Sequence, residues 1–294
     1  QIGGVDVTDT YTNVENFAFA DGNKTLAEIF AVAPDNTVNV FDTNGDFVAT
    51  YNSLANAVNN ASTLNGYTLK LGAGTYTHTG QLNIGKSLFI EGSGMGETII
   101  KQAGSVGGTE ARTVQVNAQD VTFKNLTFAG WANDTTPSNA GSGYLVWANG
   151  SAADGITFDG VQFDADNIRV AVYIGTADDV TITNSLFTGD LYRYAIRGAG
   201  EHMEITDNVF QTAHYQGGPI YMEYGAPTSG TISGNLFEHS YGVDTFAAGN
   251  GAFQSDGSLA NTIMNWQPNA ITADGLYIEN NTFRFMSGDA VHGL

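Results

Sequence analysis

The sequence contains no cysteine. That absence excludes disulfides, thiol catalysis and thiolate metal sites together, and it fits an exported bacterial protein. Proline is scarce at 5 residues and charged residues make up only 14%, whereas there are 37 glycines and 42% hydrophobic residues. Such a balance favours short strands joined by many tight turns over long surface helices. Basic residues are few as well: 10 Lys and Arg face 30 Asp and Glu, for a formal charge of −20. A surface of that sign repels nucleic acid, anionic membrane and anionic polysaccharide unless divalent cations intervene, so no nucleic-acid partner is expected. No run of about 18 apolar residues is present, so no membrane-spanning helix is expected. No basic-then-apolar leader opens the chain, which reads as a mature or excised piece. At 294 residues it is long enough to bury one continuous core.

What the sequence does contain is a repeat. The segments VTFKNLTF, ITFDGVQF, VTITNSLF, MEITDNVF, GTISGNLF and LYIENNTF end at Phe128, Phe163, Phe187, Phe210, Phe237 and Phe283. Five residues before each Phe stands Phe123, Phe158, Ile182, Ile205, Ile232 or Ile278. Three residues before it stands Asn125, Gly160, Asn184, Asp207, Gly234 or Asn280, residue types that tolerate positive φ or bond their own backbone. Asn208, Asn235 and Asn281 recur two residues before the last three. The spacings between successive phenylalanines are 35, 24, 23, 27 and 46 residues. The shortest corresponds to one coil of three short strands, and the longer ones to a coil plus a loop, or two coils. The predicted fold is all-β: one right-handed parallel β-helix from about Leu69 onward, with Phe, Ile and Asn stacked in ladders. An antiparallel sandwich has no need of one residue type at one offset six times over.

Upstream, Asn52 to Ser62 places Leu54, Ala55, Val58 and Ala61 at helical spacing, a short amphipathic helix that would cap the open end of the solenoid. The following LKLGAGTYTHTGQLNIGKSLFIEGSGMGETII, Leu69 to Ile100, resembles the first coils of the pectin-lyase-like superfamily, pectin methylesterases in particular. That resemblance implies the fold. It does not carry methylesterase activity, because the Gln and Asp motifs of those enzymes have no counterpart here.

The opening residues resemble another group. Within Gln1 to Phe30, the segment VENFAFADG, Val14 to Gly22, is similar to the strand-rich flanks of RTX proteins, secreted calcium-dependent bacterial proteins. The tandem GGxGxD nonapeptides of that family are missing. The likeness implies a division into residues 1–50, an RTX-like segment, and 51–294, the solenoid, together with weak stabilisation by calcium. The last residues, GDAVHGL, read as the start of a further coil.

Candidate functional residues follow from alternation in the strand after each Phe turn. Val146, Val172, Ile196 and Met222 read as inward. Trp147, Tyr173, Arg197 and Glu223 then form an outward row, flanked by Leu145, Ala171, Ala195 and Tyr221. Aromatic faces beside an arginine and a carboxylate suit a sugar polymer; the alternative is that the long loops 129–143 and 238–270 fold over the rings. After Lys124 there is no lysine, and the later arginines are Arg169, Arg193, Arg197 and Arg284. Arg169 and Arg193 each fall six residues after a Phe, so they would stack, either paired with Asp166 and Asp190 or clamping an acidic group of a ligand.

Three functions fit these residues. One is a secreted surface module that binds polysaccharide through Trp147, Tyr173, Arg197, Tyr221, Glu223 and Arg169. Another is a lyase or epimerase on uronate polymers, which the superfamily likeness implies, with Arg193 and Arg197 neutralising a carboxylate while Tyr173, Tyr221, His214 or Glu223 exchange protons. The last is a structural subunit that meets copies of itself or adjoining domains of a larger chain. His202 and His239 read as turn residues, and no HExxH, Ser-His-Asp spacing or phosphate loop occurs.

Overall fold

A computed structural model describes residues 16–19, 22–25, 33–103, 111–130, 143–166, 168–214, 218–222, 228–238, 263–265, 271–284 and 291–292, some of them by backbone alone. From Tyr67 the chain winds into successive coils of three strands. The first-face strands are Tyr67–Leu71, Leu88–Glu91, Thr122–Lys124, Thr157–Asp159, Thr181–Thr183, Met203–Thr206, Thr228–Ser233 and Ile271–Glu279. Each pairs in parallel with the next. The second and third faces belong to one 15-stranded sheet, because Leu186–Gly198 runs through both without a break.

The phenylalanine repeat sets the coil register. Phe128 lies opposite Phe163, Phe163 opposite Phe187, Phe187 opposite Phe210, Phe210 opposite Phe237, and Phe237 opposite Phe283. The first five are fully buried, while Phe283 is partly buried against the core. Their rings stack with centroids 5.8, 4.6, 4.6, 4.7 and 5.0 Å apart. The direct pairing of Phe237 with Phe283 shows that the 46-residue spacing is one coil with a long insertion. Phe123, Phe158, Ile182, Ile205 and Ile232 are buried beside this column.

The turn between the first and second faces explains the polar part of the repeat. Asn125, Gly160, Asn184, Asp207, Gly234 and Asn280 all adopt positive φ, between 51° and 68°, where a small or Asx side chain is tolerated. One residue on, Asn208, Asn235 and Asn281 stack inside the turn. Asn208 Oδ1 accepts the Ser185 N–H at 2.9 Å, and Nδ2 donates to Ile182 O at 2.8 Å and Asn235 Oδ1 at 3.0 Å. Asn235 repeats the pattern with Ile205 O and Asn281 Oδ1. Backbone groups that a sharp turn leaves without a ladder partner are satisfied in this way.

The N-terminal end is closed by two elements. Helix α1, Leu54–Asn59, buries Leu54, Ala57 and Val58; Ser53 accepts the Asn56 N–H as its N-cap. It is shorter than the predicted 52–62, because Asn60 is extended and its Oδ1 turns the chain by accepting the Ser62 N–H. Lys86 Nζ donates to Val58 O and Asn60 O at 2.8 and 2.7 Å, so a cation caps the carbonyl end. The second element is a hairpin, Val38–Phe41 with Phe47–Tyr51, whose first strand lies antiparallel to Tyr67–Leu71 and completes the first-face sheet. Its turn is held by Asp42 Oδ1, which accepts N–H bonds from Asn44 and Asp46. Further upstream, Asn16–Phe19 and Gly22–Thr25 pair antiparallel. At the other end Val291–His292 pairs with Ile263–Asn265 as a further rung.

Candidate functional site

The third face carries the predicted row. Val146, Val172 and Ile196 are opposite one another and buried, and Met222 is buried too. Outward, Trp147 stands opposite Tyr173, Tyr173 opposite Arg197, and Arg197 opposite Tyr221. The fourth member therefore differs from the expected Glu223, which lies outside the described residues. Ile220, two residues before Met222, takes the place opposite Ile196. A shift by two preserves the face of every side chain, so alternation alone does not distinguish the two registers.

The flanking row also needs correction. Leu145, Ala171 and Ala195 are not outward; all three are fully buried in the core. Pairing steps from Arg112 opposite Tyr144 to Val114 opposite Val146, and from Tyr144 opposite Val170 to Val146 opposite Val172. Both Leu145 and Val146 belong to the core, whereas the Tyr144 ring meets the rings of Trp147 and Tyr173. Buried residues stand side by side here, Leu145 beside Val146 and Ala171 beside Val172, so a period-two alternation of burial fails.

The resulting cluster is compact. The Trp147 and Tyr173 ring centroids are 4.2 Å apart, and Tyr144 stands edge-on to Trp147 at 4.6 Å. The Arg112 guanidinium lies 3.7 Å from the Trp147 ring centre and that of Arg197 lies 5.3 Å from Tyr173, contacts worth about 0.5–2 kcal/mol each. Tyr194 and Tyr221 stack at 4.6 Å. Trp147, Tyr173, Arg197 and Tyr221 are all half-buried. Arg112 was missed in the sequence reading, although aligning RTVQV with YLVWA on their shared central valine brings Arg112 under Tyr144.

Arg169 and Arg193 meet at an irregular step. Ile168 pairs with Leu191 but Val170 with Tyr194, so Arg169 faces both Tyr192 and Arg193 across a one-residue bulge. Asp166 Oδ1 accepts the Asp190 backbone N–H at 3.2 Å. Nearby, burial and then the Asp166 charge push the Asp164 carboxyl above its ordinary pKa, against the pull of Lys101. His214 closes the strand Val209–His214 with its backbone opposite Leu191; its side chain lies outside the described ones. His239 and most of both long loops lie outside the described residues.

His202 and His78 make local contacts. His202 has φ 58°, a turn conformation, and pairs with Asp179 at 3.2 Å. His78 is buried in the first coil, with Nδ1 2.7 Å from Gly80 O, and burial pushes its pKa down. Among the described residues no three His, Asp or Glu side chains gather as a metal site, and no helix is long and apolar enough to cross a membrane.

Coils of three parallel strands, a stacked interior and one capping helix define a right-handed parallel β-helix. Among solved structures, the chain is similar to the pectin methylesterase from Aspergillus niger in deglycosylated form, at 15% identity and a TM-score of 0.51, over 83% of this chain and 87% of that one. It is also similar to a pectin methylesterase in complex with a hexasaccharide, at 13% identity and a TM-score of 0.50, over 84% and 77% of the two chains. At these identities the likeness is one of fold. No family model and no curated sequence matches the chain.

Proposed function

We propose that the chain is a secreted β-helix module of a larger surface protein and that it binds a polysaccharide along its third face. The observation that carries this reading is the in-register row Trp147, Tyr173, Arg197 and Tyr221, half-buried and continuous over four coils. Half-buried rings offer flat apolar surface to pyranose faces, and a guanidinium held against them bonds hydroxyl or carboxylate groups. Arg169 and Arg193 flank the row. On a chain of charge −20 this local basic cluster would focus an anionic substituent that the remaining surface repels. Secretion is supported by the cysteine-free, acidic composition, and membership of a larger surface protein by the RTX-like start. Calcium belongs to the same proposal: millimolar calcium should raise the melting temperature more than magnesium or matched sodium does, and equal gains would reduce it to charge screening.

The test is glycan-array binding by the parent and by a Trp147→Ala, Arg197→Ala double variant with an unchanged melting temperature. Binding should fall sharply in the variant. Equal binding would move the site off this row.

A lyase or epimerase reading draws on Tyr173 beside Arg197. Release of unsaturated product or an epimer from a polyuronate, lost in Tyr173→Phe, would replace binding with catalysis. End-to-end assembly into filaments is disfavoured on the first face, where the antiparallel hairpin occupies the edge on which a parallel coil would dock.

A further inference from the structure

The third-face row does not begin at Trp147. Leu82–Ile84 and Arg112–Val116 are the two preceding rungs, with Asn83 opposite Gln115 and Gln115 opposite Trp147. Asn83 and Gln115 thus occupy the same outward position as the aromatics, two coils and one coil nearer the N-terminal end.

Around them the carboxamides form one network. Gln81 Nε2 donates to Asn83 Oδ1 at 2.5 Å and to Gln115 Oε1 at 2.8 Å, and Gln115 Nε2 donates to Asn117 Oδ1 at 2.7 Å. Arg112 Nη1 donates to Gln115 Oε1 at 2.6 Å while its guanidinium covers the Trp147 ring. A single arginine therefore fixes the amide group against the aromatic group. Gln81, Asn83 and Asn117 are exposed and Gln115 is half-buried, so this is surface and not core. The network leaves Gln81 Oε1 and the Asn83 and Asn117 Nδ2 groups outside its own bonds, an acceptor and two donors on one surface. Neighbouring hydroxyls of a sugar, one accepting and one donating, complement that pattern. The four amides carry no charge, and the Arg112 guanidinium that touches them is engaged by Gln115 Oε1 and the Trp147 ring.

We infer that the amide group is a second subsite, which takes the hydroxyls of neutral pyranose units in a glycan whose next units lie on Trp147 and Tyr173. This rests on the reading of the aromatic row given above. The glycan then runs parallel to the solenoid axis. Adjacent rungs are about 4.8 Å apart, comparable to the advance of one pyranose in an extended chain, so each added sugar reaches roughly one further coil. Arg112 is the positioning residue that keys the two groups together.

The experiment is titration with linear gluco-, xylo-, manno- and galacto-oligosaccharides of two to six units, beside oligogalacturonates of the same lengths. The proteins are the parent, an Asn83→Ala, Gln115→Ala variant, and Trp147→Ala, all checked for unchanged melting temperature. A neutral series should gain affinity up to the longest members. The amide variant should lose about tenfold on these, the effect of roughly 1.4 kcal/mol, and lose less on the disaccharide. Equal binding of the longest neutral ligands by parent and amide variant, with loss in Trp147→Ala, would overturn the amide subsite and leave the aromatic site intact. Preference for oligogalacturonates at every length would overturn it too. No binding of any probe by the parent would overturn both.

Discussion

The inside and the outside of the same coils are built on opposite rules. The inward column of the second face repeats one residue six times, Phe128 to Phe283, and the turn beside it repeats Asn208, Asn235 and Asn281. The outward column of the third face repeats almost nothing: Asn83, Gln115, Trp147, Tyr173, Arg197 and Tyr221. In the interior, each rung meets a copy of itself above and below, so one residue that stacks well serves every coil. On the surface no neighbour imposes identity, and an ordered series of different side chains presents a series of different contacts. Stability is thereby spread over a redundant interior, while recognition is free to vary from coil to coil.

The comparison breaks most visibly at the centre of the phenylalanine column. Phe187→Ala or Phe210→Ala removes a fully buried ring stacked on both sides, and should cost about 3–5 kcal/mol in denaturant unfolding. Asn83→Ala on the outer column should stay within about 0.5 kcal/mol. Equal costs at the two positions would erase the distinction.

Asn208→Ala comes next. It leaves the Ser185 N–H and Ile182 carbonyl without their partner in a buried turn, and should cost about 2 kcal/mol by the same measurement. A cost near zero would mean that the asparagine ladder follows the fold without supporting it.

The smallest effect concerns pH. His78 is buried with its pKa lowered from the ordinary 6.5, so the unfolded chain takes up the proton more readily than the folded one. Its contribution is complete above pH 6.5 and is lost as the pH falls below that value. His78 Nε2 is buried without a hydrogen-bond partner among the described residues, so a second proton on the ring would be held away from water, and that desolvation is what lowers its pKa. Unfolding midpoints followed from about pH 7.5 downward should decline less steeply in His78→Gln than in the parent. Parallel curves would remove His78 from the account.

The difference between the two surfaces also decided what could be read from the sequence. The coils, the six stacked phenylalanines and the positive-φ turns were legible because each occurs many times at one offset, and repetition separates a structural requirement from chance. The outer row was legible only as far as alternation held. Trp147, Tyr173 and Arg197 follow the alternation, whereas Leu145, Ala171 and Ala195 are buried beside Val146, Val172 and Ile196, which a period of two does not anticipate. Tyr221 replaced Glu223 because a two-residue shift is invisible to a period of two. The hairpin Val38–Phe41 with Phe47–Tyr51 had no repeat to reveal it, and the amide group lay in coils whose strands lack the phenylalanine signature.

The central claim is that one outward column, running across coils, is a continuous binding surface. It is tested most directly by hydrogen-exchange footprinting of the protein with a bound hexasaccharide taken from the titration series. Protection should fall on the third-face strands Leu82–Ile84, Arg112–Val116, Tyr144–Ala148 and Ile168–Gly175, one after another along the solenoid axis. Protection confined to the first-face strands, or running along a single strand, would contradict it.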